Sequence, residues 1–382
     1  MSARETPNVE IDGGLDAPEV SSATPSSTGW TKLTKVLWWT ARFLTALFLF
    51  VGALQLMKTG AAGLAILNNG GALVANAGAT LGLGWIGALI VLSGSPVAAS
   101  SLTLVASDSL NETEGFTMLT GSRLGAAFVM LVVAVVYALR GGPGERRKPV
   151  STAVMALSTT ALIYLPAATL GLLLLRWQPF HSIDPVFPHQ FADVIDLIYG
   201  PLLGRVEGLP GGLIFLAGLA FLLVSFKIID SVMPSMDERT ISSRRLLWLQ
   251  GKWSMFGLGS LVALITMSVS VALTVLVPLI SKKYVKREHI IPYVMGANIT
   301  TLGDTMLAAF ALNSPAAVRI VLAEVIVTTI LSVIVLAFFY PQVRRIIFRF
   351  QRVVVRSKTR LAVFTAALFL MPGLVIGVSN LF

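Results

Sequence analysis

The chain alternates between long apolar stretches and short polar ones. Apolar segments fall at about 37–57, 83–106, 115–140, 151–176, 211–233, 253–281, 289–313, 318–340 and 361–380. Several are near the ~20 residues that a helix needs to cross a bilayer. The pattern predicts an all-α polytopic membrane protein. Composition supports this: 55% of the 382 residues are hydrophobic and 13% charged, against about a quarter charged in soluble domains. A soluble enzyme, a fibrous protein and a largely disordered chain are excluded. There is no cysteine, which removes disulfides, thiolate metal sites and thiol catalysis together. The first thirty residues differ, being polar and acidic (Glu5, Glu10, Asp12, Asp16, Glu19). They carry too little apolar surface to fold, and they lack the basic and apolar regions of a signal peptide. A disordered cytoplasmic tail is expected over 1–36.

The formal charge of +10 is distributed in clusters between the apolar segments. Basic clusters lie at Arg140–Lys148, at Arg239–Lys252, at Lys282–Arg287 and from Arg344 to Arg360, whereas 106–114 and 177–210 are acidic. The excess of lysine and arginine in cytoplasmic loops places the basic clusters inside and the acidic loops outside. Parity then adds a constraint. If 37–57, 115–140, 151–176 and 211–233 each cross once, 83–106 and 253–281 must begin and end on one side. Both are therefore expected to be re-entrant hairpins, tolerable only where protein or a water-filled cavity covers the turn. The same rule gives a plasma (inner) membrane protein with a cytoplasmic N-terminus, an extracytoplasmic loop at 177–210, a terminal transmembrane helix at 361–382 and an extracytoplasmic C-terminus. The basic segment 341–360 is expected at the cytoplasmic membrane surface, arginines toward anionic headgroups. No nucleic-acid role is expected.

The two hairpins resemble each other. Leu92-Ser93-Gly94-Ser95 precedes Gly121-Ser122-Arg123-Leu124-Gly125 by 29 residues (121 − 92), and Met267-Ser268-Val269-Ser270 precedes Gly296-Ala297-Asn298-Ile299-Thr300-Thr301 by the same number (296 − 267). One offset of 175 (267 − 92) relates the copies. The loop after the first hairpin is acidic and its counterpart basic, so the copies face opposite sides. Two inverted transport repeats, 37–176 and 211–340, follow, each with a re-entrant hairpin and a broken transmembrane helix. Secondary transporters build midplane sites this way. A half-helix ending in the membrane offers free N–H groups to an anion, and serine hydroxyls add donors without burying a charge.

These motifs resemble those of the sodium-dependent inorganic phosphate cotransporters, which carry two inverted Gln-Ser-Ser-Ser turns, each followed by a Gly-Ala-Asn-Ile-Gly-Thr-Thr helix break. The resemblance covers about residues 40 to 340. Gly296-Ala297-Asn298-Ile299, Thr301 and Leu307-Ala308-Ala309 fit the second copy best. Leu92 and Met267 stand where the family has glutamine, Arg123 where it has the first asparagine, Thr300 where it has glycine, and Asp304 where threonine is usual. The resemblance implies Ser93, Ser95, Ser268, Ser270, Asn298 and Thr301 around phosphate, with sodium as the coupling ion.

Arg123 and Asp304 are the most informative departures, because a charge in mid-membrane is a functional hypothesis by default. Arg123 is expected to fork onto an oxyanion, and Asp304 to hold a cation or a proton. The alternatives are a static Arg123–Asp304 pair, or a pair that opens when substrate competes. Thr300 and the lone carboxylate Glu324 are further ion-coupling candidates. Lys227 and Asp230, three apart on one helix, are expected to neutralise each other. No phosphate-binding G-x-x-x-x-G-K-[ST] loop and no catalytic constellation is present in the sequence, and His181, His189 and His289 show no metal-ligand spacing. The expected function is non-enzymatic: ion-coupled transport of inorganic phosphate or a similar oxyanion, with sodium or a proton as partner. An uncoupled channel or facilitator, a phosphate exporter and a non-transporting scaffold are the alternatives. Oligomeric state is left open.

Overall fold

In the computed structural model, the residues described are 29–63, 74–140, 147–182, 189–206, 208–232, 251–267, 272–273, 276, 280 and 285–381. Their regular structure is entirely helical. The contact pattern divides the chain after Ala41, the second unit being 42–382. The helices are α1 (Gly29–Ala61), α2 (Ala77–Val91), α3 (Ser95–Ala106), α4 (Glu112–Ala126), α5 (Phe128–Arg140), α6 (Arg147–Arg176), α7 (His189–Leu203) and α8 (Gly211–Val232). They continue with α9 (Lys252–Thr266), α10 (Ile290–Thr300), α11 (Leu302–Ala311), α12 (Pro315–Ile334), α13 (Tyr340–Val355) and α14 (Lys358–Ser379).

Among the described residues, six stretches are long and apolar enough to cross a membrane: Leu37–Ala61, Glu112–Val136, Lys148–Arg176, Gly211–Val232, Pro315–Val355 and Lys358–Ser379. The shortest has 22 residues, or about 33 Å at 1.5 Å per residue, enough for a ~30 Å core. By contrast α2, α3 and α9 have 15, 12 and 15 residues. These short helices overlap the two stretches for which loop-charge parity predicts no crossing.

The helix pair α2–α4 and the helix pair α9–α10 are packed alike. A Cβ at Gly84 would press on the Met118 carbonyl oxygen, and one at Gly121 on that of Leu81. In the other pair Gly259 meets the Tyr293 carbonyl and Gly296 that of Phe256. All four positions move by 175 (259 − 84, 293 − 118, 296 − 121, 256 − 81). Such backbone approach needs a residue without a side chain. The caps match as well: α2 ends on Leu92 at φ 55° and α9 on Met267 at φ 45°. Left-handed backbone is uncommon outside glycine and asparagine.

Two apolar cores result. One joins α1, α3, α4, α11 and α12 through Leu54, Leu102, Phe116, Leu119, Ala308 and Ile320. The other joins α6, α9, α10 and α13 through Met155, Ile163, Met255, Tyr293 and Ile347. Each therefore mixes residues from both halves of the chain. Helix α14 lies along α2, where Asn76 caps α2 and donates from Nδ2 to the Ser379 carbonyl (2.7 Å).

Three expectations change. Helix α1 begins at Gly29, so residues 29–36 of the expected tail are helical. The acidic loop 177–210 contains α7, whose Tyr199 hydroxyl donates to the Phe48 carbonyl (2.8 Å); reading its charge alone hid the apolar spacing of Val194, Leu197, Ile198 and Leu202. The basic segment 341–360 is not separate from 318–340, because α12 runs into α13 through one π turn, Val335–Phe339. Pro341 supplies no N–H, which would leave a carbonyl bare one π turn earlier. Lys252 Nζ donates to that carbonyl, Leu336 O, at 2.6 Å.

Candidate functional site

Where the two halves of the chain meet, the apolar packing gives way to a seam of buried polar groups. Arg123 comes from the last turn of α4, just before the helix is interrupted at Ala127. Asp304 and Thr305 come from the first turn of α11, just after the break at Thr301. Thr120 lies one turn before Arg123, Glu324 sits on α12, Asn298 on α10, and Thr160 and Tyr164 on α6. Arg123, Asp304 and Glu324 are 3%, 6% and 0% exposed.

The contacts cross between the halves. Arg123 Nη2 donates to Thr305 Oγ1 and lies 3.6 Å from Asp304 Oδ1. Thr305 in turn donates to the same carboxylate oxygen (2.9 Å). Thr120 Oγ1 donates to Glu324 Oε2 (3.0 Å). On the other side Asn298 Nδ2 donates to Thr160 Oγ1 (3.0 Å), and Tyr164 donates to the Asn298 carbonyl (3.0 Å). Tyr164 is within electrostatic reach of Arg123, Asp304 and Glu324.

These bonds leave the seam incompletely satisfied. Among the described residues, Arg123 Nε and Nη1, Asp304 Oδ2 and Glu324 Oε1 are buried without a hydrogen-bond partner. Native proteins leave few buried polar atoms unpaired, each calling for an explanation. Here the unpaired donors belong to a cation and the unpaired acceptors to two carboxylates. The arrangement has donor capacity for an oxyanion and acceptor capacity for a small cation or a proton. Among the described residues, no group of three or more His, Cys, Asp or Glu side chains comes together.

The first turn lies beside this cluster. Gly94 precedes α3, and a Cβ there would fall 2.8 Å from the Ala126 Cβ and 3.0 Å from the Ser122 carbonyl oxygen. Ser122 and Ala126 flank Arg123 on α4, so the N-terminus of α3, with Ser93 and Ser95 half-buried, abuts the arginine's own turn. Ser268 and Ser270 lie outside the described residues. Thr300 and Thr301 use their hydroxyl protons within the helix, on Gly296 O (3.2 Å) and Asn298 O (3.1 Å), which leaves them only acceptor capacity. Lys227 and Asp230 are both exposed on α8, and no ion pair joins them. The expected mutual neutralisation is therefore not formed.

The sequence reading missed Thr120, Thr160, Tyr164 and Thr305. A faint signal existed, since a tyrosine buried in an apolar helix usually needs a partner for its hydroxyl. Threonines in membrane helices more often bond their own backbone, as Thr120 also does to Phe116 O. Comparison with protein-family models, with curated proteins and with solved structures returned no match. Fold and site together define an all-helical protein with six helices fit to cross a membrane among its described residues, carrying a buried ionic cluster where its halves meet.

Proposed function

We propose that the protein is a secondary active transporter that moves inorganic phosphate, or a similar oxyanion, across the plasma membrane with a coupled cation. In this reading 37–176 and 211–340 are inverted repeats, each contributing a re-entrant hairpin and a broken helix. The matched glycine contacts and left-handed caps at one offset support the repeat, and the short lengths of α2, α3 and α9 support the hairpins. The observation that carries the function is Arg123, buried with two N–H positions unpartnered beside two carboxylates that each keep a free oxygen. A planar guanidinium suits phosphate oxygens, and the carboxylates suit sodium or a proton. Sodium is favoured by family resemblance. The N-terminus is placed in the cytoplasm and the C-terminus outside by the charge rule.

The test is uptake of radiolabelled phosphate into proteoliposomes under an imposed sodium gradient, a proton gradient or none. Accumulation under one gradient, abolished in Arg123→Gln, is expected and names the ion. Equilibration without accumulation under every gradient replaces the carrier with a facilitator. Phosphate movement that survives Arg123→Gln removes the arginine from the site.

A further inference from the structure

We propose that the groove between α6 and α13 is a binding site for an anionic phospholipid. One end of the groove is polar. Ser151, Arg287, Gln351, Arg352 and Arg356 line a cavity of about 380 Å³. Ser151 is 2% exposed and, among the described residues, its hydroxyl has no hydrogen-bond partner. Among the described residues, no acidic side chain lines this end. The acid nearest in the chain, Glu288, accepts from Arg344 at 2.6 Å and lines, with Arg352, the adjoining cavity along α13. Three guanidinium groups around an unpartnered buried hydroxyl match a phosphate diester, which accepts from forked N–H groups and from O–H.

The other end is apolar. Leu157, Ala161, Ile346, Ile347, Phe350 and Leu368 are among the residues lining about 460 Å³. The two ends run along the same helix pair. Ser151 and Ser158 are seven residues apart on α6, two turns along one face, and Ser158 lines the apolar end. Ile347 and Gln351 are four apart on α13, again on one face. The apolar end opens outward, Ile346 being 59% and Leu165 48% exposed. A free inorganic oxyanion fills the polar end and leaves this surface uncovered. A lipid with a phosphate headgroup and acyl chains covers both, and the groove's length of mixed character commits it to that occupant.

The experiment is native mass spectrometry of the full chain in neutral detergent with phosphatidylglycerol or phosphatidylcholine, each repeated with millimolar inorganic phosphate. Phosphatidylglycerol is expected to remain bound in preference to phosphatidylcholine and to resist displacement by phosphate. Arg352→Gln with Arg356→Gln, both exposed positions, should weaken it about 30-fold, from roughly fivefold per basic charge near an anionic headgroup. Ala161→Trp should weaken it independently by filling the acyl end. Should Ala161→Trp lower the melting temperature, the arginine variant decides alone. Equal retention of the two lipids, displacement by inorganic phosphate, or wild-type binding by the arginine variant would overturn the proposal.

Discussion

Asp304→Asn tests the ionic seam most directly. Asparagine keeps an oxygen that accepts from Thr305, so the geometry of the first turn of α11 survives while one charge is removed. At the observed 3.6 Å separation from Arg123, the attraction between unit charges is about 5 kcal/mol with an effective dielectric of ~20. Removing one member of a buried pair typically costs about 3–5 kcal/mol, because the other charge remains desolvated. Glu324 is within electrostatic reach of Arg123 and offsets part of this, so about 3 kcal/mol is expected. Arg123→Gln combined with Asp304→Asn removes both charges and should recover most of the loss, giving a coupling of about 2–3 kcal/mol in a double-mutant cycle. The assay is reversible unfolding in mixed micelles, read by intrinsic fluorescence. Phosphate at ten times its Kd should add about 1.4 kcal/mol to the wild type and nothing to Arg123→Gln. A coupling below about 0.5 kcal/mol would show that Asp304 does not balance Arg123, and stabilisation of both proteins by phosphate would refute the arginine as its ligand.

The remaining predictions concern the frame around that cluster. Gly84→Ala and Gly259→Ala should each destabilise the protein by about 1–3 kcal/mol, as overpacking does, despite alanine's higher helix propensity; wild-type melting of either would refute the backbone contact. Tyr164→Phe removes the bond to the Asn298 carbonyl and should cost about 1–2 kcal/mol, with phosphate uptake reduced as α10 loosens; unchanged uptake and melting would dissociate Tyr164 from the site. Glu324→Gln can still accept from Thr120, so folding should survive. If Glu324 carries the coupled cation, the variant should exchange phosphate across the membrane but no longer accumulate it, and accumulation at the wild-type level would exclude that role.

Much of the frame was legible because it rests on summed properties of whole segments. Apolar length gave the long helices, and the two stretches that loop-charge parity singled out contain the short helices α2, α3 and α9. The turn positions were legible through serine and glycine spacing, but their left-handed caps were not, since leucine and methionine carry no such signal. Pro341 reads as a terminator, yet α12 continues past it, because the wider π turn and the Lys252 ammonium accommodate what proline removes. Local pattern contains no trace of that remote lysine. The charged members of the seam stood out, since a charge is rare in an apolar helix. Their partners Thr120 and Thr305 did not, because a threonine's role is set by the helix that packs against it. Lys227 and Asp230 erred in the opposite sense: helical spacing brings two side chains within reach but does not turn them toward each other.

The offset that matches the two helix pairs also places Arg123 on Asn298 (298 − 123 = 175). The two positions face the same seam with different chemistry. Asn298 is neutral and held by Thr160 and Tyr164, whereas Arg123 is charged and held by an acid from the other half. Cation and carboxylates thus enter from opposite halves of the chain, and the charge is balanced only while the halves stay together. If transport were to move one half past the other, Arg123 would have to separate from Asp304. With nothing bound, that separation costs about 3–5 kcal/mol, which slows the step by roughly two to four orders of magnitude. An oxyanion on Arg123 removes half of the penalty and a cation on the carboxylates the other half. In that case only the doubly loaded protein would cross readily, and the charge pair would itself couple anion to cation.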